Sequence, residues 1–108
     1  MEHINKIELK GTIGNIRVSE VGESLVSNFS LVTNIMLPSK NTQVETTWHN
    51  IVAWGGSIPA ETITKLAKGQ TAFVSGRIRS RAYTTSSGEE RTIYEVLARS
   101  IEILPDQS

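Results

Sequence analysis

Hydrophobic and polar residues alternate with a period of two along most of this chain, as in strands that bury one face. Five segments follow the pattern: Ile4–Arg17, Leu25–Ile35, Thr46–Gly56, Gln70–Tyr83 and Thr92–Leu104. Residues 57–69 break it, because Ser57 can cap a helix and Pro59 suits its first turn. Ile63 and Leu66 form an apolar stripe, and Gly69 stops the run. The pattern therefore predicts five strands, with one short helix between the third and the fourth.

This order of elements predicts an all-β protein with the OB-fold, a five-stranded Greek-key barrel. A length of 108 residues suits one domain with a single modest core. We assign residues 1–104 to that domain and 105–108 to a frayed C-terminus. The outer face around strands two and three of an OB-fold commonly binds oligonucleotides or oligosaccharides, so that face is the first candidate for a binding site.

Composition excludes several kinds of chemistry. Eleven basic and eleven acidic residues cancel, so any attraction to an anion must be local. The absence of cysteine excludes disulfides and thiolate metal sites, and the two histidines lack partners at metal-ligand or catalytic-triad spacing. We therefore expect no enzyme activity, no metal and no cofactor. The charged N-terminus and the lack of a long apolar run predict no secretory signal and no membrane contact, hence a cytoplasmic protein.

Both tryptophans lie in the third segment, TTWHNIVAWGG, six residues apart. Six is even, so a strand would place Trp48, Asn50, Val52 and Trp54 on one face and His49 on the other. The pattern alone leaves open whether the two indoles are buried or offered to a ligand.

The fourth strand carries Arg77, Arg79, Arg81 and Tyr83 on one face. Its other face, with Ala72, Val74, Gly76 and Ile78, is predicted to belong to the core. Six basic residues against two acidic ones give residues 65–91 a local net charge of +4. Such a patch favours a polyanion, and aromatic rings beside arginines favour stacking on unpaired bases. The alternative is an ordinary solvated sheet face. The coincidence of the arginines with the tryptophan pair in one small barrel favours the binding site.

Three blocks together resemble the bacterial single-stranded DNA-binding protein (SSB) family: TTWHNIVAWGG, LAKGQTAFVSGRIRSRAY and SSGEERTIYEVLARSIEIL. The segments NKIELKGTIGNI and SNFSLVTN are similar to the family's first two strands, so the resemblance runs from Asn5 to Leu104. It implies a homotetramer of OB-folds that binds single-stranded DNA without sequence specificity during replication, recombination and repair. It also implies a location in the bacterial cytoplasm, associated with the nucleoid.

The resemblance also implies roles for individual residues. Trp48, Trp54 and Tyr83 match base-stacking aromatics, and Arg79, Arg81 and Lys68 match phosphate-contacting positions. We add Arg77 and Asn50 because they share the faces of these residues. The predicted nucleic-acid-binding set is therefore Trp48, Trp54, Tyr83, Arg77, Arg79, Arg81, Lys68 and Asn50. The residues predicted at the subunit interface are His49, Ile7 and Leu9.

Two departures from the family pattern change the expectations. The family usually has an aromatic just after the second strand, where this chain has Ile-Met-Leu-Pro at 35–38, and Asn50, Gly56 and Ala82 replace residues that are often basic. We therefore expect fewer phosphate contacts and weaker binding than in a typical member. The family also continues into a flexible linker and an acidic tip, whereas this chain stops at PDQS. Recruitment of replication enzymes through such a tail is not expected of it.

Two other binding functions remain open. A tailless OB-fold interaction module, similar to the dimeric primosomal replication protein N, would be about this size and would give a dimer rather than a tetramer. The tryptophan pair argues against it. An oligosaccharide-binding module would not need phosphate-directed arginines and would show little dependence on salt.

Overall fold

The computed structural model describes residues 2–36 and 44–105. Its elements are β1 (Ile7–Val21), β2 (Ser24–Met36), β3 (Val44–Trp54), α1 (Ala60–Lys65), β4 (Thr71–Thr84) and β5 (Glu90–Leu104). The predicted order of five strands and one helix is confirmed. Residues 37–43 of the predicted loop after the second strand, and 106–108 of the predicted frayed C-terminus, lie outside the described residues.

The strands close into one barrel in the order β1-β2-β3-β5-β4. All neighbours are antiparallel except β3 and β5, which run parallel over a short stretch. β1 and β2 are joined by the two-residue turn Gly22–Glu23, in which Gly22 has a φ of 63°. Such short turns fix the hairpin register and place Arg17 opposite Asn28. The protein is the all-β, five-stranded OB barrel that the sequence predicts.

The barrel interior is filled by branched apolar side chains from several strands and from the helix. Ile13, Leu31, Ile51, Ile63 and Val74 are each at most 1% exposed. α1 contributes Ile63 to this core, so the short helix is held by burial rather than by its own length. Burying such side chains is the main source of stability in a barrel of this size.

Two local details differ from the sequence predictions. Ser57 does not cap the helix: the N-cap is Pro59, and no side chain makes a capping hydrogen bond. Ile78, predicted in the core, is 42% exposed. Its exposure follows from topology, because β4 pairs with β1 only as far as Gly76 and then continues with β5 alone. Beyond Ile78 the two strands have no third neighbour, and we call this two-stranded extension, residues 79–95, the β4–β5 arm.

Candidate nucleic-acid interface

The outer face of β3 presents the two tryptophans, in the alternation that the sequence predicts. Ile51 and Ala53 belong to the core, so the even-numbered residues of the strand point to the other face, where Val52 is covered (5% exposed) but the residues on either side of it reach the surface. Trp48 is 63% exposed, and Trp54 is only partly buried. Neither indole is therefore a core residue of this chain.

The Trp48 ring extends from β3 across β2 to β1. Trp48 pairs with Val32 on β2, and a Cβ atom on Gly14 of β1 would lie 2.9 Å from the ring atom Cζ3. β1 is irregular between Ile13 and Ile16, and there the Asn15 N–H donates a 3.0 Å hydrogen bond to Ser30 Oγ. The bare backbone of Gly14 thus receives one edge of the indole, while most of the ring surface stays open to a ligand.

A groove of about 410 Å³ lies beside Asn50. Its lining comes from all five strands and is mostly polar: Asn15, Ile16, Arg17, Asn28, Phe29, Ser30, Asn50, Ile51, Val52, Arg81, Ile93 and Glu95. Across the sheet, Arg17 pairs with Asn28 and Asn50 pairs with Ser30. Amide and hydroxyl groups both donate and accept hydrogen bonds, so this surface can meet base edges of any identity.

Arg79 and Arg81 do not stand free on the sheet face. Arg79 Nη2 and Arg81 Nε donate to the same oxygen, Glu95 Oε1, over 3.0 and 3.1 Å. The Glu95 side chain is 5% exposed. Burial by itself would raise the pKa of Glu95, but the hydrogen bonds from Arg81 and Arg79, together with their charges, outweigh it and hold that pKa below its ordinary value. The carboxylate is therefore ionised at neutral pH.

Arg77 is separated from this cluster. It lines a second depression of about 360 Å³, together with the basic residues Lys6 and Arg99 and the hydroxyls of Ser57 and Ser75. The arginine stripe that the sequence predicts is thus divided into two sites, and Arg77 belongs to the site away from the groove.

Lys68 and Tyr83 lie at the periphery. Lys68 is exposed in the turn between α1 and β4. Two backbone hydrogen bonds of 2.8 Å hold this turn beside β1: Ile13 N–H donates to Gln70 O, and Gly69 N–H donates to Ile13 O. This places it near the Gly14 edge of the Trp48 surface. Tyr83 is 42% exposed near the tip of the β4–β5 arm and does not line the groove.

The residues predicted at a subunit interface occupy two environments. Ile7 and His49 line a depression of about 210 Å³ together with Trp48, Ile78 and Tyr94. His49 Nε2 lies 2.9 Å from Thr33 Oγ1, and burial lowers the pKa of its imidazole. The role of these residues in assembly stays a prediction.

Leu9 differs from the other two interface candidates. It is half-buried and packs against the barrel core. It pairs with Val74 of β4, whose side chain is fully buried. Any part that Leu9 plays in an interface would therefore have to involve its remaining exposed surface, and that role also stays a prediction.

Arg17, Asn28 and Glu95 also belong to this surface, although the sequence pattern does not single them out. Arg17 and Asn28 could have been found from the two-residue turn, which fixes the β1–β2 register. Glu95 lies beyond residues 65–91, over which the local charge was counted, yet it stands directly opposite Arg79 across the β4–β5 pairing.

The described residues show no sign of a metal site. Within residues 2–36 and 44–105, no group of three or more acidic or histidine side chains could hold a metal ion. Over the same residues, no helix is long and apolar enough to cross a membrane. The chemistry that this surface offers is stacking, hydrogen bonding and positive charge.

OB barrels commonly bind oligonucleotides or oligosaccharides on the outer face that here carries an exposed indole beside a polar, cationic groove. The model of the single-strand binding protein family matches residues 4–104. This chain belongs to that family.

Similar proteins agree with this membership. The chain is 33% identical to a single-stranded DNA-binding protein of Xylella fastidiosa, over 97% of this chain and 66% of the relative. It is 36% identical to that of Neisseria meningitidis, over 94% of this chain and 60% of the relative. It thus spans less than two thirds of the length of these relatives. Among solved structures, a Plasmodium falciparum SSB complex with ssDNA superposes with a TM-score of 0.82 at 26% identity, covering 97% of this chain and 98% of that one.

Proposed function

We propose that this chain binds single-stranded DNA without sequence specificity and protects it during replication, recombination and repair. The observation that carries the proposal is Trp48, a large aromatic side chain that is 63% exposed and held by its edge against Gly14 beside the groove. Burying an indole is favourable, so an exposed one that is held in place suits a stacking platform. The names of the relatives and the ligand of the Plasmodium structure support the same function.

In this proposal, the DNA strand follows the outer face of β3. Trp48 and Trp54 are six residues apart, which is about 20 Å along a strand, so Asn50 and the groove lie between two stacking positions. Arg17 and Arg81 line the groove and attract phosphates, and the amides hydrogen-bond to bases without selecting one. Tyr83 would extend stacking toward the arm, and Lys68 would add a phosphate contact near Trp48.

We also propose an oligomeric state and a cellular location for this protein. We expect a homotetramer, with Ile7, Leu9 and His49 near the subunit contacts, and a dimer if the chain is instead a primosomal interaction module. We expect no catalytic activity, and a location in the bacterial cytoplasm in association with the nucleoid. The interaction with DNA then resides in the barrel itself.

The test is a tryptophan fluorescence titration with oligo(dT) at two salt concentrations. Emission should be quenched strongly, because the chain has only two tryptophans and both would contact bases. Affinity should fall as salt rises, and duplex DNA should compete poorly because its bases are already stacked. Trp54→Ala should cost about 1–3 kcal/mol, the range typical of stacked bases, and leave the salt dependence unchanged. Equally tight binding of duplex DNA, or tryptophan emission that does not change when oligo(dT) is added, would overturn the proposal.

A further inference from the structure

Glu95 is the acidic side chain at the centre of the proposed phosphate site. It lies on β5 directly opposite Arg79, and it lines the groove together with Asn50 and Arg81. Its side chain is 5% exposed and binds both guanidinium groups through one oxygen. An acid in a site for a polyanion needs an explanation, because it repels the ligand that the arginines attract.

The geometry leaves both arginines able to reach a phosphate. A guanidinium has five N–H donors, and Arg81 engages Glu95 through Nε, at the base of its fork. Its terminal nitrogens remain for a ligand, and the side chain is 53% exposed. Arg79 engages Glu95 through Nη2 and is 38% exposed, while its Nε is buried without a hydrogen-bond partner. Glu95 therefore restrains both side chains without using up their donors.

The carboxylate also changes the charge that the cluster presents. Two guanidinium groups carry +2, and the ionised Glu95 between them reduces the sum to +1. Without Glu95, the two exposed guanidinium groups would repel each other and would attract any polyanion, including duplex DNA.

We propose that Glu95 is a positioning residue for the DNA contacts of Arg79 and Arg81, and that it limits the cluster to one net positive charge. The proposal rests on the proposed binding of single-stranded DNA. Glu95 fixes the direction of both guanidinium groups before DNA arrives, so less side-chain entropy is lost on binding. Because the net charge of the cluster is +1, Arg79 and Arg81 together contribute to the salt dependence of DNA affinity as one charge rather than two.

The charge part is tested with Glu95→Gln in oligo(dT) titrations over a tenfold range of salt. The variant cluster carries +2, so the salt slope should steepen by about 0.7 log units, and its affinity relative to the parent should change about fivefold across the range. Glu102→Gln is the matched control, because Glu102 is an exposed acid on the same strand with no salt bridge among the described residues. Its slope should match the parent. The double variant Arg81→Gln/Glu95→Gln carries +1 again and should restore the parental slope.

The positioning part is tested with Glu95→Asp, which keeps the charge but shortens the side chain. Its affinity should fall by the same factor at every salt concentration, with the parental slope. Circular dichroism melts should confirm that each variant is folded, and Glu95→Asp still tests the proposal if Glu95→Gln does not fold. Parental failure to bind oligo(dT) would refute the proposed function itself. If the parent binds but Glu95→Gln keeps the slope of Glu102→Gln, or Glu95→Asp binds like the parent, this inference is wrong.

Discussion

Gly14 should affect how the Trp48 indole stacks on bases, although it has no side chain of its own. Its φ is not positive, so alanine is compatible with the backbone there, and only the added methyl group matters. That methyl would lie 2.9 Å from Trp48 Cζ3, where ordinary contacts begin at 3.4 Å. The ring edge must therefore retreat by about 0.5 Å, the difference between these distances. Because the ring is 63% exposed, it can lift toward solvent at little cost to folding.

The expected result of Gly14→Ala is weaker binding of oligo(dT) with an unchanged salt slope. A displaced ring still offers a face, so the loss should be smaller than the roughly 1–3 kcal/mol of a whole stacked base, about two- to fivefold in affinity. One complication is Ser30, whose Oγ would lie 2.6 Å from the new methyl and which also accepts the Asn15 N–H bond. Ser30→Ala removes that second clash. Gly14→Ala should therefore be compared within the Ser30→Ala background.

A double-mutant cycle with Trp48→Ala decides the argument. If Gly14 acts through the indole, Gly14→Ala should have no further effect once Trp48 is gone. Fluorescence from Trp54 still reports binding in that background, and thermal melts check that the barrel is intact. An equal loss of affinity with and without Trp48 would refute the reasoning, since the methyl group would then act on DNA or on the strand directly.

Two further predictions concern assembly and pH. Light scattering at micromolar concentration should give the mass of a tetramer; a monomer would contradict the predicted interface at Ile7 and His49, and a dimer would favour the interaction-module alternative. Burial lowers the pKa of His49, so the unfolded chain binds more protons than the folded one as pH falls below about 6.5, and the free energy of unfolding should decrease there. His49→Gln should flatten this decrease in denaturant titrations between about pH 5.5 and 7.5, one unit either side of 6.5, with the exposed His3→Gln as the control. An unchanged pH profile in His49→Gln would contradict this prediction.

Most of the fold follows from the alternation of side chains along the sequence. A period of two is a strong signal where one face of a strand is buried, and it correctly places Trp48 and Trp54 on one face of β3 and the odd-numbered residues, among them the core residue Ile51, on the other. It fails at Ile78 because an alternating pattern does not reveal where a strand leaves the barrel. The same limitation applies to Ser57, where a residue suited to capping precedes a helix that starts after Pro59.

The candidate site is harder to predict because it depends on neighbours across strands. A count of charges along residues 65–91 treats Arg79 and Arg81 as two free cations. The antiparallel pairing of β4 and β5 brings Glu95 against both of them, although it lies 14 and 16 residues away in sequence. Which charged side chains of a sheet lie next to each other depends on the register between its strands. The five-residue loop between β4 and β5 does not fix that register as the two-residue turn at Gly22 does for β1 and β2.

These contacts also determine which interaction should contribute most to binding. Arg17 and the Arg79–Arg81–Glu95 cluster at the groove, together with Lys68 at its periphery, supply about three net positive charges, and Asn50 offers a neutral amide. Three neutralised phosphates give a shallow salt slope of about −2. Two indoles at about 1–3 kcal/mol each retain their contribution at any salt concentration. Stacking on Trp48 and Trp54 should therefore dominate at physiological salt, which explains why a chain with so few aromatic residues places both tryptophans on one outward strand face.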